Sequence, residues 1–395
     1  MEDVYLLSAA RTPIGSFLGT LKELPAPKLG AAAISAAVSR ASVKPDAIDE
    51  CLMGCVLTAG IGQAPTRQAA IYAGLPQSVR CTTLNRVCGS GLKTVMLATQ
   101  AIQCGDAEVC VAGGMESMSH APYLLDRMRE GYRLGHGKII DSMIHDGLWD
   151  PYSDQHMGDC AELCALEREF TREEQDRYAI QSYRRAQAAI TSGKFHAEIA
   201  HIELIGRKGE KRLVDRDEEP HRATIERFAE LKPAFQKTGT VTAANASSLS
   251  DGAAALVVAS GKFVKHTNAT PLARVIAQAS HAQAPQWFTT APVGSIRKVL
   301  EKANMELGQI DLFEVNEAFS VVALACAAEL GISEDKLNVH GGAVALGHPI
   351  GASGARILTT LVHALQQNRK RYGIASICIG GGEASALLIE VLVGN

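Results

Sequence analysis

Cys88-Gly89-Ser90-Gly91 opens a helical pattern over Leu92 to Ile102, followed by the strand-like Val109-Cys110-Val111, which runs into Ala112-Gly113-Gly114. The second half of the chain has the same order: Gly351-Ala352-Ser353-Gly354, a helical pattern from Ala355 to Leu365, the run Ile374 to Ile379, then Gly380-Gly381-Gly382. Each apolar run reads as a buried strand whose glycine end lets the backbone turn sharply. Residue identity between the two stretches is weak, so the spacing alone leaves both duplication and coincidence open. Either way, the pattern is that of a layered α/β protein, and 36 glycines with only 5% aromatic residues suit close helix–sheet packing.

Length and charge narrow the function. At roughly 100–200 residues per domain, 395 residues imply two or three domains. A net charge of −3 provides no basic field for a polyanion, which argues against nucleic-acid binding. The longest apolar runs, such as Val321 to Ala328, are far shorter than the roughly 20 residues a membrane span needs. Met-Glu-Asp-Val-Tyr-Leu-Leu-Ser lacks the basic flank of a secretory signal. Ten scattered cysteines without metal-ligand spacing point to a reduced, cytoplasmic protein in which most of them are small core residues.

Between the halves the composition shifts. Residues 201–230 hold seven Lys/Arg and eight Asp/Glu, too many charges for a core sheet. This stretch reads as part of a surface insertion from near Ser119 to near Val241. Thr171 with Glu174 three residues on predicts a capping box at a helix start inside it.

Four residues stand out chemically. Cys88 precedes a helix, where unpaired N–H groups and the positive dipole end favour thiolate. It is read either as a nucleophile or as a small residue packed in a tight turn. His348, fixed between Gly347 and Pro349, presents its ring from a loop and could take a thiol proton, although a lone histidine is often structural. Cys378 ends the last long strand, either as core or beside glycine N–H groups able to form an oxyanion hole. Asn316 follows the run Leu312 to Val315 and precedes a helix, so it suits an N-cap whose amide also holds a water. Neither glycine cluster fits a dinucleotide or phosphate loop, and no metal-binding motif is present.

Together these motifs resemble the thiolase family. The resemblance runs from Ser8-Ala9-Ala10-Arg11-Thr12-Pro13 through Asn85 to Gly91, Val111 to Ser119, His156-Met157-Gly158 and Gly239-Thr240-Val241-Thr242. It continues through Asn316-Glu317-Ala318-Phe319, Gly347 to Gly354 and Cys378-Ile379-Gly380-Gly381-Gly382. It implies the thiolase fold: two similar α/β halves in a five-layered α-β-α-β-α arrangement with an inserted loop domain. The implied division is 1–118 plus 242–270 for the N-terminal half, 119–241 for the insertion and 271–395 for the C-terminal half. The implied reaction is ping-pong exchange between two acetyl-CoA and acetoacetyl-CoA plus CoA. Cys88 would carry the acyl group, His348 would activate it, and Cys378 would move the α-proton. Asn316 and Gly380 would serve two oxyanion holes, the first through a water. Coenzyme A is substrate and product, and no further cofactor is implied. Ser247, His156, Met157, Phe235, Ala318 and Phe319 would line the pantetheine tunnel, with Arg222 as a possible phosphate or adenine contact. Ser119 to Lys138 resembles a tetramerisation loop, which implies a homotetramer.

The chain departs from the family pattern at four places: Ser248 in place of a glycine, an altered stretch around Pro220-His221-Arg222, Gln286-Trp287-Phe288 where Met-Gly is common, and Glu383-Ala384 after the last glycines. The second puts Arg222 in doubt and the third adds bulk near the acyl group. A broader-chain 3-ketoacyl-CoA thiolase of fatty-acid breakdown is the alternative within the class. A thiolase-like protein that binds acyl-CoA without turnover is the alternative outside it.

Overall fold

Short runs of β-branched and small residues form the principal strands: β1 (Val4–Arg11), β2 (Glu50–Gly54), β3 (Arg80–Leu84), β4 (Val109–Ser117), β5 (Ser250–Ser260), β6 (Ala273–Ala282), β7 (Leu312–Val315), β8 (Tyr372–Ile379) and β9 (Glu383–Val391). The computed structural model describes residues 2–206 and 208–392. Among them the strands lie in the order β7-β8-β9-β6-β1-β5-β4-β2-β3. Outward from the middle, both halves follow one plan: first strand, last, next to last, second. In the N-terminal half β3 then pairs parallel with β2. In the C-terminal half the same place is held by Leu337, in an isolated parallel bridge to Phe313 of β7. The first strands of the two halves meet antiparallel, with Tyr5 opposite Arg274 and Leu6 opposite Ala273. Topology therefore shows the duplication that weak residue identity left open.

The main helices are α1 (Ala26–Ala41), α2 (Pro65–Tyr72), α3 (Ser90–Cys104), α4 (Met157–Glu167), α5 (Arg172–Thr191), α6 (Ala291–Ala303), α7 (Ser320–Leu330) and α8 (Ser353–Gln367). Three apolar clusters account for the layers. Leu92 and Val95 of α3 pack with Leu358 and Leu361 of α8 between Leu256 of one half-sheet and Leu387 of the other. Leu29 and Ile34 of α1 cover the outer face of the first half, against Val111 and Val257. Ile296 of α6 and Val322 of α7 cover the outer face of the second, against Phe313 and Leu388. The arrangement is the five-layered α-β-α-β-α one that the resemblance implies.

The two central helices cross at their amino termini, and glycine makes the crossing possible. A Cβ on Gly354 would lie 2.3 Å from the Leu92 backbone nitrogen, and one on Gly91 would lie 2.8 Å from that of Ala355. Neither backbone can yield cheaply. Gly354→Ala is expected to lower unfolding stability by about 1–3 kcal/mol, the usual cost of forcing extra volume into a packed site. A urea titration of the variant beside wild type checks this.

Gly113-Gly114 is not the strand end that the sequence suggested. β4 runs straight through it to Ser117. The glycines are needed for close approach: a Cβ on Gly113 would meet the Ala254 carbonyl at 2.1 Å, and one on Gly114 that of Gly351 at 2.0 Å. Gly381 and Gly382 do turn the chain, with φ of +88° and +80°.

Between Ser117 and Ser250 the chain leaves the sheet and builds α4, α5 and small two-stranded ladders. Thr171 and Glu174 form the expected capping box at the start of α5. Part of the charge-rich stretch forms a ladder of Ile202–Ile205 with Lys211–Val214, its lysine and arginine outward. The segment is anchored by buried Arg11, whose guanidinium donates to Asp217 at 2.7 and 2.9 Å. No described helix is long and apolar enough to cross a membrane.

Candidate active site

Cys88 sits on a strained turn between β3 and α3. Val87, a β-branched residue, is held at φ +44°, a conformation that costs about 1–3 kcal/mol and persists only when its surroundings impose it. The restraints are local. The Arg86 N–H donates to Ser90 Oγ at 2.8 Å, the Ser90 hydroxyl donates to the Val87 carbonyl at 2.6 Å, and the Val87 N–H donates to Asn85 Oδ1 at 2.9 Å. Gly89 follows because a Cβ there would lie 2.3 Å from Ile379.

The Cys88 thiol is not the acidified thiol expected of a helix terminus. Burial pushes its pKa up to about 11, against N–H groups of Gly380 and of Cys88 itself that pull it down. The sequence showed the dipole but not the apolar surroundings, and desolvation wins. Alkylation of Cys88 by iodoacetamide should therefore keep rising about tenfold per pH unit past pH 9, because the thiolate population grows until the pH nears 11. A plateau near pH 8.5, typical of a free thiol, would contradict this.

His348 is buried on the loop ahead of α8, with its backbone N–H on the Ser248 carbonyl at 3.0 Å. Its Nδ1 lies 2.6 Å from Ser353 Oγ, and that hydroxyl donates to the Pro349 carbonyl at 3.0 Å. The hydroxyl proton being so engaged, Nδ1 carries the hydrogen and Nε2 keeps its lone pair. Nε2 lies 3.4 Å from the Asn316 side-chain nitrogen. Burial, with the charge of Arg356 second, lowers the histidine to about 3, so the ring is neutral at physiological pH. Asn316 is not a helix cap, since α7 begins only at Ser320 behind Phe319. Its Oδ1 is buried without a protein partner.

Cys378 ends β8 fully buried. Burial, then the neighbouring Cys88 thiol, hold it well above the ordinary range, while N–H groups of Cys378 and Ala318 pull the other way. All ten cysteines are free, and seven are buried.

Cys88, His348 and Gly380 share the wall of one cavity of about 480 Å³. Of the residues expected in a tunnel, Ser247, His156, Met157, Phe235, Ala318 and Phe319 all line it. His156 stacks on Phe235 with centroids 4.9 Å apart, and a Cβ on Gly158 would strike that same ring at 2.3 Å. Phe288 is in the wall, edge-on to Phe319 at 6.2 Å, whereas its neighbour Trp287 lies outside it. Arg222 also lies outside the wall, 3.5 Å from the Glu218 carboxylate. A wider groove along α5, of about 790 Å³, holds none of the reactive residues.

Sequence reasoning missed several contributors. Met143, Ile144 and Leu148 supply part of the wall from a segment with no distinguishing motif. Glu116 lay in view within Gly-Gly-Met-Glu, yet its partners are remote in sequence. It accepts N–H bonds from Val56 at 3.0 Å, Leu57 at 3.1 Å and Gly351 at 2.9 Å, and so ties the loops behind Cys88 together. Burial raises it to about 7.

Comparison with known proteins agrees with this geometry. Residues 4–262 match the family model "Thiolase, N-terminal domain" and residues 269–391 match "Thiolase, C-terminal domain". Acetyl-CoA acetyltransferase 2 of Arabidopsis thaliana is 51% identical over 393 residues, covering 99% of this chain and 98% of the relative. An acetyl-CoA acetyltransferase of Pseudomonas aeruginosa is 50% identical over 390 residues, covering 98% and 99%. Among solved structures, the Acat5 thiolase from Ascaris suum in complex with coenzyme A superposes with a TM-score of 0.93 at 44% identity, covering 99% of this chain and 100% of that one. The Bacillus anthracis acetyl-CoA acetyltransferase superposes with a TM-score of 0.97 at 42% identity, covering 99% of both. The chain belongs to the thiolase family.

Proposed function

We propose that the chain is an acetyl-CoA C-acetyltransferase, interconverting two acetyl-CoA with acetoacetyl-CoA and CoA through an acetyl thioester on Cys88. The observation that carries the reading is that the Cys88 thiol and the neutral His348 imidazole, from the two halves of the fold, share the wall of one apolar cavity, with the buried Cys378 thiol beside Cys88. Relatives about half identical over nearly the whole chain carry that name.

In the cleavage direction Cys88 sulfur attacks the ketone carbon as its proton passes to His348 Nε2. A neutral base suits this step, because a thiol near 11 beside an imidazole near 3 holds no resting ion pair, so the transfer must accompany bond formation. The carbon–carbon bond then breaks and its electron pair becomes the enolate of acetyl-CoA. Cys378 protonates the enolate carbon and recovers a proton from the imidazolium. In the second half, the CoA thiol attacks acetyl-Cys88, and its proton returns through His348 to Cys88. The N–H groups of Cys88 and Gly380 serve the acyl-enzyme oxygen. His348 and a water held by Asn316 Oδ1 serve the enolate oxygen.

The pantetheine arm would pass between Met157, Phe235, Ala318 and Phe319, with Ser247 and His156 as polar contacts. Residues 119–241 would act as the loop domain that covers coenzyme A. Phe288, buried in the wall against Phe319, would limit the room for the acyl group and so favours a short chain over the longer substrates of fatty-acid breakdown. The ladder of Tyr123–Leu125 with Ile139–Asp141 exposes Tyr123, Leu125 and Ile139, and Leu134 at its tip is fully exposed, which supports a homotetramer assembled through this loop. Ten free cysteines support a cytoplasmic setting. The test of the assignment is intact-protein mass spectrometry after mixing with acetyl-CoA: one acetyl group on Cys88 is expected, and acetylation elsewhere or none would overturn it.

A further inference from the structure

Gly380 and Cys88, the two backbone donors at the acyl-enzyme oxygen, come from different halves of the fold, and one ion pair joins their loops. Arg86 lies two residues before Cys88, and Glu383 three after Gly380. The Arg86 guanidinium donates from Nε to Glu383 Oε2 at 2.9 Å, and its Nη2 is paired with the same oxygen. Its Nη1 spans Ser280 Oγ at 3.0 Å and Ser385 Oγ at 3.2 Å, hydroxyls on opposed residues of β6 and β9. One planar cation thus reaches three groups of the C-terminal half from the turn that carries the nucleophile.

Both loops need such a restraint. The Cys88 turn contains the strained Val87, and Gly381 and Gly382 at positive φ leave the second loop with little intrinsic rigidity. Apart from Ile379 packed on Gly89, the contact at Gly380 itself is slight: a Cβ there would be 3.6 Å from Val87 Cγ1. Neither Arg86 nor Glu383 lines the cavity, so neither contacts substrate. Both side chains are only partly exposed, at 24% and 37%, so water screens the pair incompletely.

We propose that Arg86 and Glu383 are positioning residues that set the spacing of the Cys88 and Gly380 N–H donors, and so the depth of the oxyanion hole. The inference deepens the acetyltransferase reading and rests on it. It also gives a purpose to Glu383, one of the places where the chain departs from the family pattern.

Arg86→Gln, Glu383→Gln, the double variant and Arg86→Lys are to be assayed beside wild type for acetoacetyl-CoA thiolysis and for exchange of labelled CoA into acetyl-CoA. Each Gln variant should lose about tenfold in kcat in both assays, a fraction of the 10²–10³ lost when an oxyanion donor is removed outright. KM for CoA should stay within about twofold and the melting temperature within a few degrees, since a partly exposed pair contributes little to stability. The double variant should be no worse than either single, and Arg86→Lys, which keeps one charged contact, should recover part of the loss. Unchanged kcat in the Gln variants, or losses that multiply in the double, would overturn the proposal. Should Arg86→Gln fail to fold, Glu383→Gln and Arg86→Lys decide by the same criterion. An inactive wild type would overturn the functional reading and this inference together, whereas an active wild type with unaffected variants overturns the positioning role alone.

Discussion

Replacing Cys88 with alanine is expected to abolish thiolysis, lowering kcat by at least about 10⁴-fold while leaving the fold intact. Loss of a nucleophile of this kind commonly costs about 10⁶ in kcat, and the remaining oxyanion donors account for what survives. The small side chain is tolerable structurally because the turn is held by Ser90, Asn85 and Arg86 rather than by the sulfur. Melting temperature and quantitative binding of CoA should stay near wild type. A variant that retains even one-hundredth of wild-type turnover would show that Cys88 does not carry the acyl group.

Cys378→Ala is expected to separate the two half-reactions. In the proposed mechanism, acetyl transfer from acetyl-CoA to Cys88, and its return to CoA, needs His348 and the Cys88 and Gly380 donors but no carbon acid, whereas cleavage and formation of the carbon–carbon bond need the second thiol. General acid–base groups are typically responsible for about 10²–10⁴ in rate. Thiolysis of acetoacetyl-CoA should therefore fall by about 10³-fold while exchange of labelled CoA into acetyl-CoA stays within about threefold. Equal losses in both assays would place Cys378 in the packing of the site instead. The contrast with Arg86→Gln is direct, since loosening the oxyanion hole slows both reactions.

Much of this architecture was legible from residue order. The repeat of small residues, helix and strand raised a duplication that only the strand order shows, and the capping box at Thr171 and Glu174 marked α5. The tunnel residues Met157, Phe235 and Phe319 and the reactive Cys88 and His348 do share one wall. What escaped depends on contacts between segments far apart in sequence. Gly113 and Gly114 looked like a turn because a glycine pair has two uses, and only the approach of Ala254 and Gly351 distinguishes them. The acidity of Cys88 was misjudged for the same reason: a helix start is visible in sequence, whereas the apolar surroundings that outweigh it come from other segments. Asn316 looked like a cap because a helical apolar pattern follows it, whereas the helix begins only at Ser320, four residues later. Glu383 read only as an irregularity until its partner Arg86 was seen across the two halves.

The most direct test of the central claim is thiolysis of acetoacetyl-CoA beside 3-ketodecanoyl-CoA, with wild type and Cys88→Ala assayed in parallel. Phe288, buried at 3% exposure against Phe319, predicts turnover of acetoacetyl-CoA, little or none of the longer substrate, and no activity in the variant. Comparable or faster turnover of 3-ketodecanoyl-CoA would contradict the short-chain assignment, and no turnover of either substrate would contradict the enzyme itself.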